Sequence, residues 1–223
     1  MMVYGAVIYK LDTMNLFLLS RSKRKGARMH CNRHVVKMIL ETTQLLWTAV
    51  HVGGVNVEKL PIKAYRKTHM WHPTAIWVRE TPKNWEFAVL FGLELCAEYT
   101  RRYGKVHKCE AHLRFLRKFG YVEPLERRPI KNKCGAMKNG CTPFPLAMPE
   151  DCVVYKQGKP HAVRSYRKYY ARKNTEWTEK GRPMVWEIKA PSPGRRDVRR
   201  RLQLRQRFVG WTQRAQLDLL CLW

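Results

Sequence analysis

Four side chains that can exchange protons near neutral pH recur at helical spacing in the first third of the chain. His30, His34, Lys37 and Glu41 follow one another at steps of four, three and four residues, which places them on one face of an α-helix. Two imidazoles, an amine and a carboxylate are typical of acid–base chemistry. A desolvated Lys37 between cationic neighbours would also be a nucleophile able to form a Schiff base. The alternatives are an exposed polar stripe and a buried Glu41 paired with a histidine.

Aromatic and polar side chains cluster around a proline further along the chain. His72 precedes Pro73, which favours an extended backbone and presents the imidazole at a loop. Trp71 and Trp77 flank this turn, and Tyr166 lies in a second basic and aromatic stretch. Flat rings among cations are typical of proteins that stack on exposed bases. The alternative is that these rings face the core.

Basic residues dominate the composition. The chain of 223 residues has 44 Lys and Arg against 17 Asp and Glu, a net charge of +27. Such a charge repels itself unless a polyanion neutralises it, so nucleic acid, DNA before RNA, is the expected partner. The alternative is a solvated basic surface. The residues that we expect to contact nucleic acid, mostly through phosphates, are His72, Arg79, Arg101, Arg102, Lys105, Lys108, Arg199, Arg200 and Arg201.

Helical periodicity and capping signals predict a mainly α, compact helical domain. A helix is expected from about Ala27 to Val50, and another opens at Thr81-Pro82 and ends before Gly104. Residues 121–149 are rich in Pro, Gly, Lys and Asn and predict a long loop. Two further helices are predicted over about 106–119 and 161–173.

The chain divides by composition into three parts. We predict an N-terminal extension over 1–13, a helical nucleic-acid-binding domain over 14–187 and a basic C-terminal extension over 188–223. Residues 195–207 of that extension contain seven arginines in thirteen positions. No apolar run approaches the roughly 20 residues that span a bilayer, and no signal-peptide cleavage site follows the first 20 residues. We therefore expect neither a membrane partner nor secretion.

Metal and cofactor chemistry has little support in the sequence. The seven cysteines are scattered without a CxxC pair, which is typical of reduced thiols. The gaps between Cys134, Cys141 and Cys152, with His161 beyond, lack the tight ligand pairs of structural zinc sites. No HExxH, P-loop, GxGxxG or GxSxG motif is present. We expect no metal site and no cofactor.

Six ordered motifs resemble an uncharacterised protein family of phages and large DNA viruses. They are MNLFLLS (14–20), HCNRHVVKMILETTQLLWTA (30–49), HPTAIWVRE (72–80), EYTRRYGKVHK (98–108), PFPLAMP (143–149) and SYRKYY (165–170). The resemblance covers about residues 14–187. It implies a viral or phage-derived protein located in the virion or in the cytoplasm or nucleus of the host cell, with other virion proteins as further partners.

More distantly, the order of these features is similar to the phage pyrimidine-dimer DNA glycosylase/AP lyase family. The resemblance implies an all-helical basic fold that flips a base out of the duplex, with Arg33, His34 and Glu41 on the first helix. Members attack the sugar with their N-terminal α-amine, assisted by a glutamate. The family start corresponds to Met14, thirteen residues into this chain, so an α-amine would be at the site only if the chain began there. Glu41 lies later in its helix than the family glutamate does.

These observations lead to two expectations for function. The first is a DNA glycosylase/AP lyase acting on damaged or modified pyrimidines. Glu41 is its acidic assistant, His34, Lys37 and His30 are the other catalytic candidates, and Arg33 contacts the nucleic acid. The second is a non-catalytic structural protein of a virion or ribonucleoprotein, which the excess of positive charge favours.

Overall fold

A computed structural model describes residues 14–135, 137, 140–187 and 191, and the predictions for residues 1–13 and for Arg199, Arg200 and Arg201 lie outside this part of the chain. The described fold is mainly α, as predicted. Its helices are α1 (Lys23–Arg28), α2 (Asn32–Val52), α3 (Pro73–Val78), α4 (Pro82–Tyr103), α5 (Glu110–Phe119) and α6 (Ala162–Glu179). A short antiparallel hairpin joins β1 (Tyr155–Lys156) to β2 (Lys159–Pro160). The described residues between 121 and 149 form the predicted long loop, and among them Lys133 and Pro145 make an isolated bridge.

The helix predicted from Ala27 to Val50 is two helices rather than one. α1 already begins at Lys23, capped by the Ser22 hydroxyl, and Cys31 is extended at the start of α2. The Cys31 N–H donates to the Tyr170 hydroxyl at 2.9 Å, and the Asn32 N–H donates to the carbonyl of Val185 at 2.8 Å. These tertiary hydrogen bonds replace the helical ones, so the chain turns at this point.

α4 has the boundaries that its capping residues predict. The Thr81 hydroxyl accepts the Asn84 N–H at 3.2 Å, Pro82 occupies the first turn, and Gly104 ends the helix with φ +63°. Gly92 allows the close packing of α4 on its neighbours, because a Cβ there would lie 2.9 Å from Leu113 Cδ2. α4 is thus the central helix against which α2 and α5 pack.

The other two predicted helices differ at their ends. α5 begins at Glu110 rather than near 106, since Val106 is 72% exposed and has no core to face. α6 continues to Glu179, beyond the predicted end at 173, because its last turns carry Trp177 onto the core. This extension brings the end of α6 alongside α2.

The segment that precedes α1 runs through the core without forming a helix or a strand. Met14, Leu16, Phe17 and Leu19 are each at most 3% exposed. The Phe17 ring stacks on Tyr169 of α6 at 5.7 Å between centroids. This start segment therefore packs between α2 and α6, where it forms one wall of a cleft. None of the helices in the described residues has the length and apolar character needed to cross a bilayer.

Candidate functional site

A cleft of about 190 Å³ opens where the start segment, α2 and α6 meet. It lies on the helix face that carries the candidate acid–base residues. Its lining residues are Met14, Asn15, Phe17, His34, Lys37, Met38, Glu41, Lys173, Glu176, Trp177 and Lys180. Three of the four residues proposed for catalysis thus contribute to one concave surface, which is the arrangement that a reaction site requires.

Glu41 is the buried acid of this cleft. Its side chain is 5% exposed, its Oε2 accepts the backbone N–H of Asn15 at 2.8 Å, and its Oε1 lies 3.0 Å from the Lys37 ammonium. Burial raises the pKa of the Glu41 carboxyl, and this effect outweighs the opposing influence of Lys37 and of the Asn15 hydrogen bond. A carboxylate with a raised pKa binds protons more readily than an exposed one, so burial makes Glu41 a better proton acceptor.

Lys37 lies one helical turn before Glu41 and differs from the expected desolvated lysine. Its side chain is 52% exposed, and its ammonium forms an ion pair with Glu41. Solvent reaches Lys37, so burial does not activate this amine, and the adjacent Glu41 carboxylate is the group positioned to accept its proton. The spacing of four residues correctly placed the amine and the acid side by side.

His34 forms an aromatic wall of the cleft. Its Nδ1 lies 2.9 Å from the Tyr170 hydroxyl, and its ring stacks on Phe17 with centroids 5.2 Å apart. Trp177 meets it edge-on at 5.1 Å. Burial, followed by the positive neighbours His30 and Lys37, holds the pKa of His34 well below its usual value. The imidazole is therefore neutral at physiological pH.

His30 does not belong to the catalytic face, and this corrects the prediction. It lies in the connection between α1 and α2, is fully buried, and does not line the cleft. Its Nδ1 is 2.8 Å from the carbonyl of Gly26, and its Nε2 has no hydrogen-bond partner. Burial, the largest cause, lowers its pKa to about 4. The spacing of four residues predicted that His30 and His34 share one helix face, but His30 lies before the start of α2.

Asn15 is a site residue that the sequence did not reveal. Besides its backbone bond to Glu41, its amide donates to the carbonyl of Ala147 at 2.8 Å. Its Oδ1 accepts from the hydroxyls of Tyr166 at 3.2 Å and Thr74 at 3.4 Å. Asn15 thereby fixes the start segment against four other parts of the fold. The α6 residues Lys173, Glu176 and Trp177, and Lys180 directly after α6, were also missed, although their helical spacing after Tyr166 is visible in the sequence.

Arg101 and Arg102 form a structural ion-pair network instead of a free phosphate grip. The Arg102 side chain is fully buried and donates to Glu98 Oε1 at 2.7 Å and to the carbonyls of His30 and Arg28 at 3.0 Å. Arg101 is half exposed and is shared by Glu98 and Glu187. Both guanidiniums bind acceptors within the protein. For the buried Arg102, this corrects the predicted contact with phosphates.

Two of the three aromatic rings proposed for stacking are core residues, contrary to the prediction. Trp77 and Tyr166 are each 0% exposed. Trp77 Nε1 donates to the carbonyl of Thr142 at 3.2 Å, and the Tyr166 hydroxyl lies 2.9 Å from the carbonyl of Pro145. No face of either ring is accessible to a base. The aromatic residues of THMWHPTAIWVR and SYRKYY thus serve packing more than recognition.

His72 is likewise buried rather than presented to solvent. It is the N-cap of α3, where its Nδ1 accepts the Thr74 N–H at 3.3 Å. Burial, followed by the nearby His69, lowers the pKa of His72 to about 4. Pro73 does place His72 in an extended conformation, as predicted, but the cap turns the ring inward. Its expected contact with nucleic acid is therefore incorrect in this fold.

Three of the predicted basic contacts remain exposed. Arg33, Lys105 and Lys108 each present their side chains to solvent, and the Arg33 guanidinium lies 6.0 Å from the Trp177 ring beside the cleft. Arg79 and the partly buried Trp71 form a separate cluster, with the Arg79 guanidinium 5.6 Å from the Trp71 ring. Contact of these residues with nucleic acid stays a prediction.

The described cysteines are unbridged: Cys31, Cys96, Cys109, Cys134, Cys141 and Cys152. Cys134 Sγ accepts the Phe144 N–H at 3.2 Å, which stabilises the long loop. Within the part of the chain that the structure describes, no three His, Cys, Asp or Glu side chains lie in a group that could hold a metal ion.

We expect the free energy of unfolding to fall as the pH drops from 6.5 towards 4. The folded-state pKa of His30 is about 4 against 6.5 for an unperturbed histidine, so the unfolded chain takes up a proton first. His30 alone would contribute a loss of about 3 kcal/mol across this window, and His72 shifts in the same direction. Urea titrations at pH 7 and pH 4.5 measure the effect.

The pH dependence should be smaller in His30→Met, which removes one of the titrating groups. His69→Gln is the control, because it replaces an exposed histidine. If the free energy of unfolding depends on pH in His30→Met as it does in the native protein, the loss of stability in acid does not come from this buried imidazole.

The chain was also compared with known proteins. No family model, no curated protein and no solved structure matches it.

Proposed function

We propose that the protein binds DNA and excises a damaged or modified pyrimidine in the cleft between the start segment, α2 and α6, as a glycosylase/AP lyase. The observation that carries this proposal is the pairing of the buried Glu41 carboxylate with the Lys37 ammonium at 3.0 Å on the wall of a cleft. A buried acid beside an amine is the pair that imine-forming chemistry on a sugar requires.

The reaction begins with transfer of a proton from the Lys37 ammonium to the Glu41 carboxylate, which lies 3.0 Å away. The free amine attacks C1′ of the sugar as the bond from C1′ to the base breaks. The base leaves with the electron pair of that bond and takes up a proton. Nζ then carries two protons and loses one of them. The C1′–O4′ bond of the sugar ring breaks, O4′ takes up a proton, and a protonated imine forms between Nζ and C1′. Loss of a proton from C2′ then expels the 3′ phosphate by elimination, which cuts the strand.

The walls of the cleft suit a base that has left the duplex. Trp177 provides a partly exposed flat ring, and Lys173 and Lys180 line the same opening. An extruded base stacks on such rings while cations hold the adjacent phosphates. The exposed Arg33 beside Trp177 extends the positive charge from the cleft onto the outer surface of α2.

Incubation with end-labelled duplexes that carry a cyclobutane dimer, an abasic site, uracil or no lesion tests the proposal on a denaturing gel. We expect incision at a damaged or abasic position and a covalent protein–DNA adduct after borohydride reduction. Peptide mapping of the adduct should place it on Lys37. Mapping to another amine would refute the role of Lys37, and the absence of both incision and adduct on every substrate would refute the enzyme.

A second function, a nucleic-acid-binding structural protein of a virion or ribonucleoprotein, is favoured by the net charge of +27. Excess positive charge stabilises packaging and hinders turnover by retaining product. Tight, salt-sensitive binding to all four duplexes without incision is the result expected for this second function. Binding that depends on a lesion would speak against it.

A further inference from the structure

The Arg79 guanidinium has no partner for its two terminal nitrogens although it is buried. The residue is 1% exposed, and both NH1 and NH2 lie out of solvent without a hydrogen bond. The backbone around it is satisfied, since the Arg79 N–H donates to the carbonyl of Ile76 and its own carbonyl accepts from the Tyr121 hydroxyl. Burial of a charged group without acceptors costs several kcal/mol. The fold therefore holds in place a cation whose acceptors are missing.

These nitrogens belong to the wall of a second cleft, separate from the one that contains Glu41. It has a volume of about 240 Å³ and lies between the end of α3 and the loop residues 124–129. The Arg79 guanidinium sits 5.6 Å from the Trp71 ring, and the Arg128 guanidinium covers the same ring at 3.6 Å. The cleft thus has two guanidiniums beside one aromatic face.

The side chains at the mouth of this cleft are loosely held. Arg128 is 52% exposed and contacts the Glu126 carboxylate at 3.3 Å, the long end of the hydrogen-bond range. Residues 125–129 are exposed and form no helix or strand. Burial lowers the Arg79 pKa to about 10, so this arginine remains charged at neutral pH.

We infer that the cleft at Arg79 binds a phosphate group of the nucleic-acid backbone, with the two terminal nitrogens of Arg79 as bidentate donors. A guanidinium that presents two parallel N–H groups matches the geometry of phosphate oxygens. Arg128, which lines the same cleft and lies over the Trp71 ring, adds a second cation. This inference names a contact of the proposed DNA-binding function and rests on it for the identity of the ligand.

The position of α3 places this anion site near the reactive cleft. α3 begins beside Asn15, where the Thr74 hydroxyl lies 3.4 Å from Asn15 Oδ1, and Arg79 caps its other end. With a rise of 1.5 Å per residue, Thr74 and Arg79 are about 7.5 Å apart along the helix axis.

The test is an NMR titration of the full chain with arginine side chains labelled by ¹⁵N. The Arg79 guanidinium signal is assigned by its loss in Arg79→Lys, and the probes are inorganic phosphate and a twelve-nucleotide single strand without a lesion. We expect both probes to shift this signal and to compete with each other. Arg79→Lys keeps the positive charge but loses the two parallel N–H donors. It should weaken phosphate binding about tenfold as measured by calorimetry.

A second variant keeps the test valid if Arg79→Lys does not fold. Glu126→Gln removes the carboxylate that competes for this cation; Glu126 is half exposed and outside the core. We expect it to strengthen phosphate binding about threefold. Glu86→Gln makes the same charge change at a similarly exposed site that pairs with Lys83, and it should have no specific effect on the Arg79 signal.

An Arg79 signal that neither probe shifts, or Glu126→Gln and Glu86→Gln variants that behave alike, would overturn the anion site. Binding of inorganic phosphate without competition from the single strand would overturn the assignment to nucleic acid. The incision assay is independent of these outcomes. If the protein cuts lesions but neither probe shifts the Arg79 signal, the proposed excision is supported and the anion site is refuted. If the probes shift the Arg79 signal but no lesion is cut, the anion site is supported and the proposed excision is refuted.

Discussion

Glu41→Gln is expected to reduce incision of a lesion-bearing duplex by at least about a hundredfold, the usual contribution of a positioned acid–base group. The amide can still accept the Asn15 N–H that Glu41 Oε2 accepts at 2.8 Å, so the start segment should stay in place. It cannot take the proton of the Lys37 ammonium, which lies 3.0 Å from Oε1. Single-turnover rates from a denaturing gel measure the loss, and the borohydride adduct should fall in parallel.

Glu176→Gln is the matched control for this prediction. Glu176 lines the same cleft, but its carboxylate is bound by Arg172 at 2.8 Å and is 40% exposed. The control should retain incision to within a few-fold. Equal losses in the two variants would mean that the cleft needs negative charge in general, and a fully active Glu41→Gln would exclude Glu41 as the acid.

The second large effect is on stability. Arg102→Ala is expected to lower the free energy of unfolding by about 3–5 kcal/mol, the cost of breaking a buried ion pair by removing one partner. The variant leaves Glu98 without its buried partner and the carbonyls of His30 and Arg28 without their donor. Denaturation in urea, with the variant and the native protein at the same pH, measures the difference.

Arg101→Ala isolates the contribution of burial, because the adjacent Arg101 contacts the same Glu98 from a side chain that is 46% exposed. Its loss should cost no more than about 1 kcal/mol. Nucleic-acid affinity should not change in Arg102→Ala under conditions where it folds. A large loss of affinity with normal stability would instead place Arg102 in the binding surface.

The elements whose boundaries depend on local chemistry were predictable. α4 begins at a capping threonine with proline in its first turn and ends at a glycine with positive φ. Residues at its two ends therefore determine its boundaries. Lys37 and Glu41 are adjacent for the same reason, since a spacing of four within one helix fixes the pair.

Features that depend on distant residues were not predictable in this way. The break between α1 and α2 results from bonds to Tyr170 and Val185, more than a hundred positions away in the chain. Asn15 reaches Glu41 only because the start segment packs through the core. A basic residue type does not indicate whether the side chain is buried. The sequence alone therefore does not distinguish the buried Arg102 from the exposed Lys105.

The route of the start segment has a consequence for how the protein matures. The cleft combines Asn15 and Glu41 with Lys173 and Trp177, and the Tyr166 hydroxyl anchors Asn15 across 151 positions. Contacts at such separation require closure of a very long loop, which slows folding relative to a bundle of locally paired helices. A growing chain would lack the complete cleft until α6 had been synthesised and had docked. Newly made protein would thus complete this cleft only late in its folding.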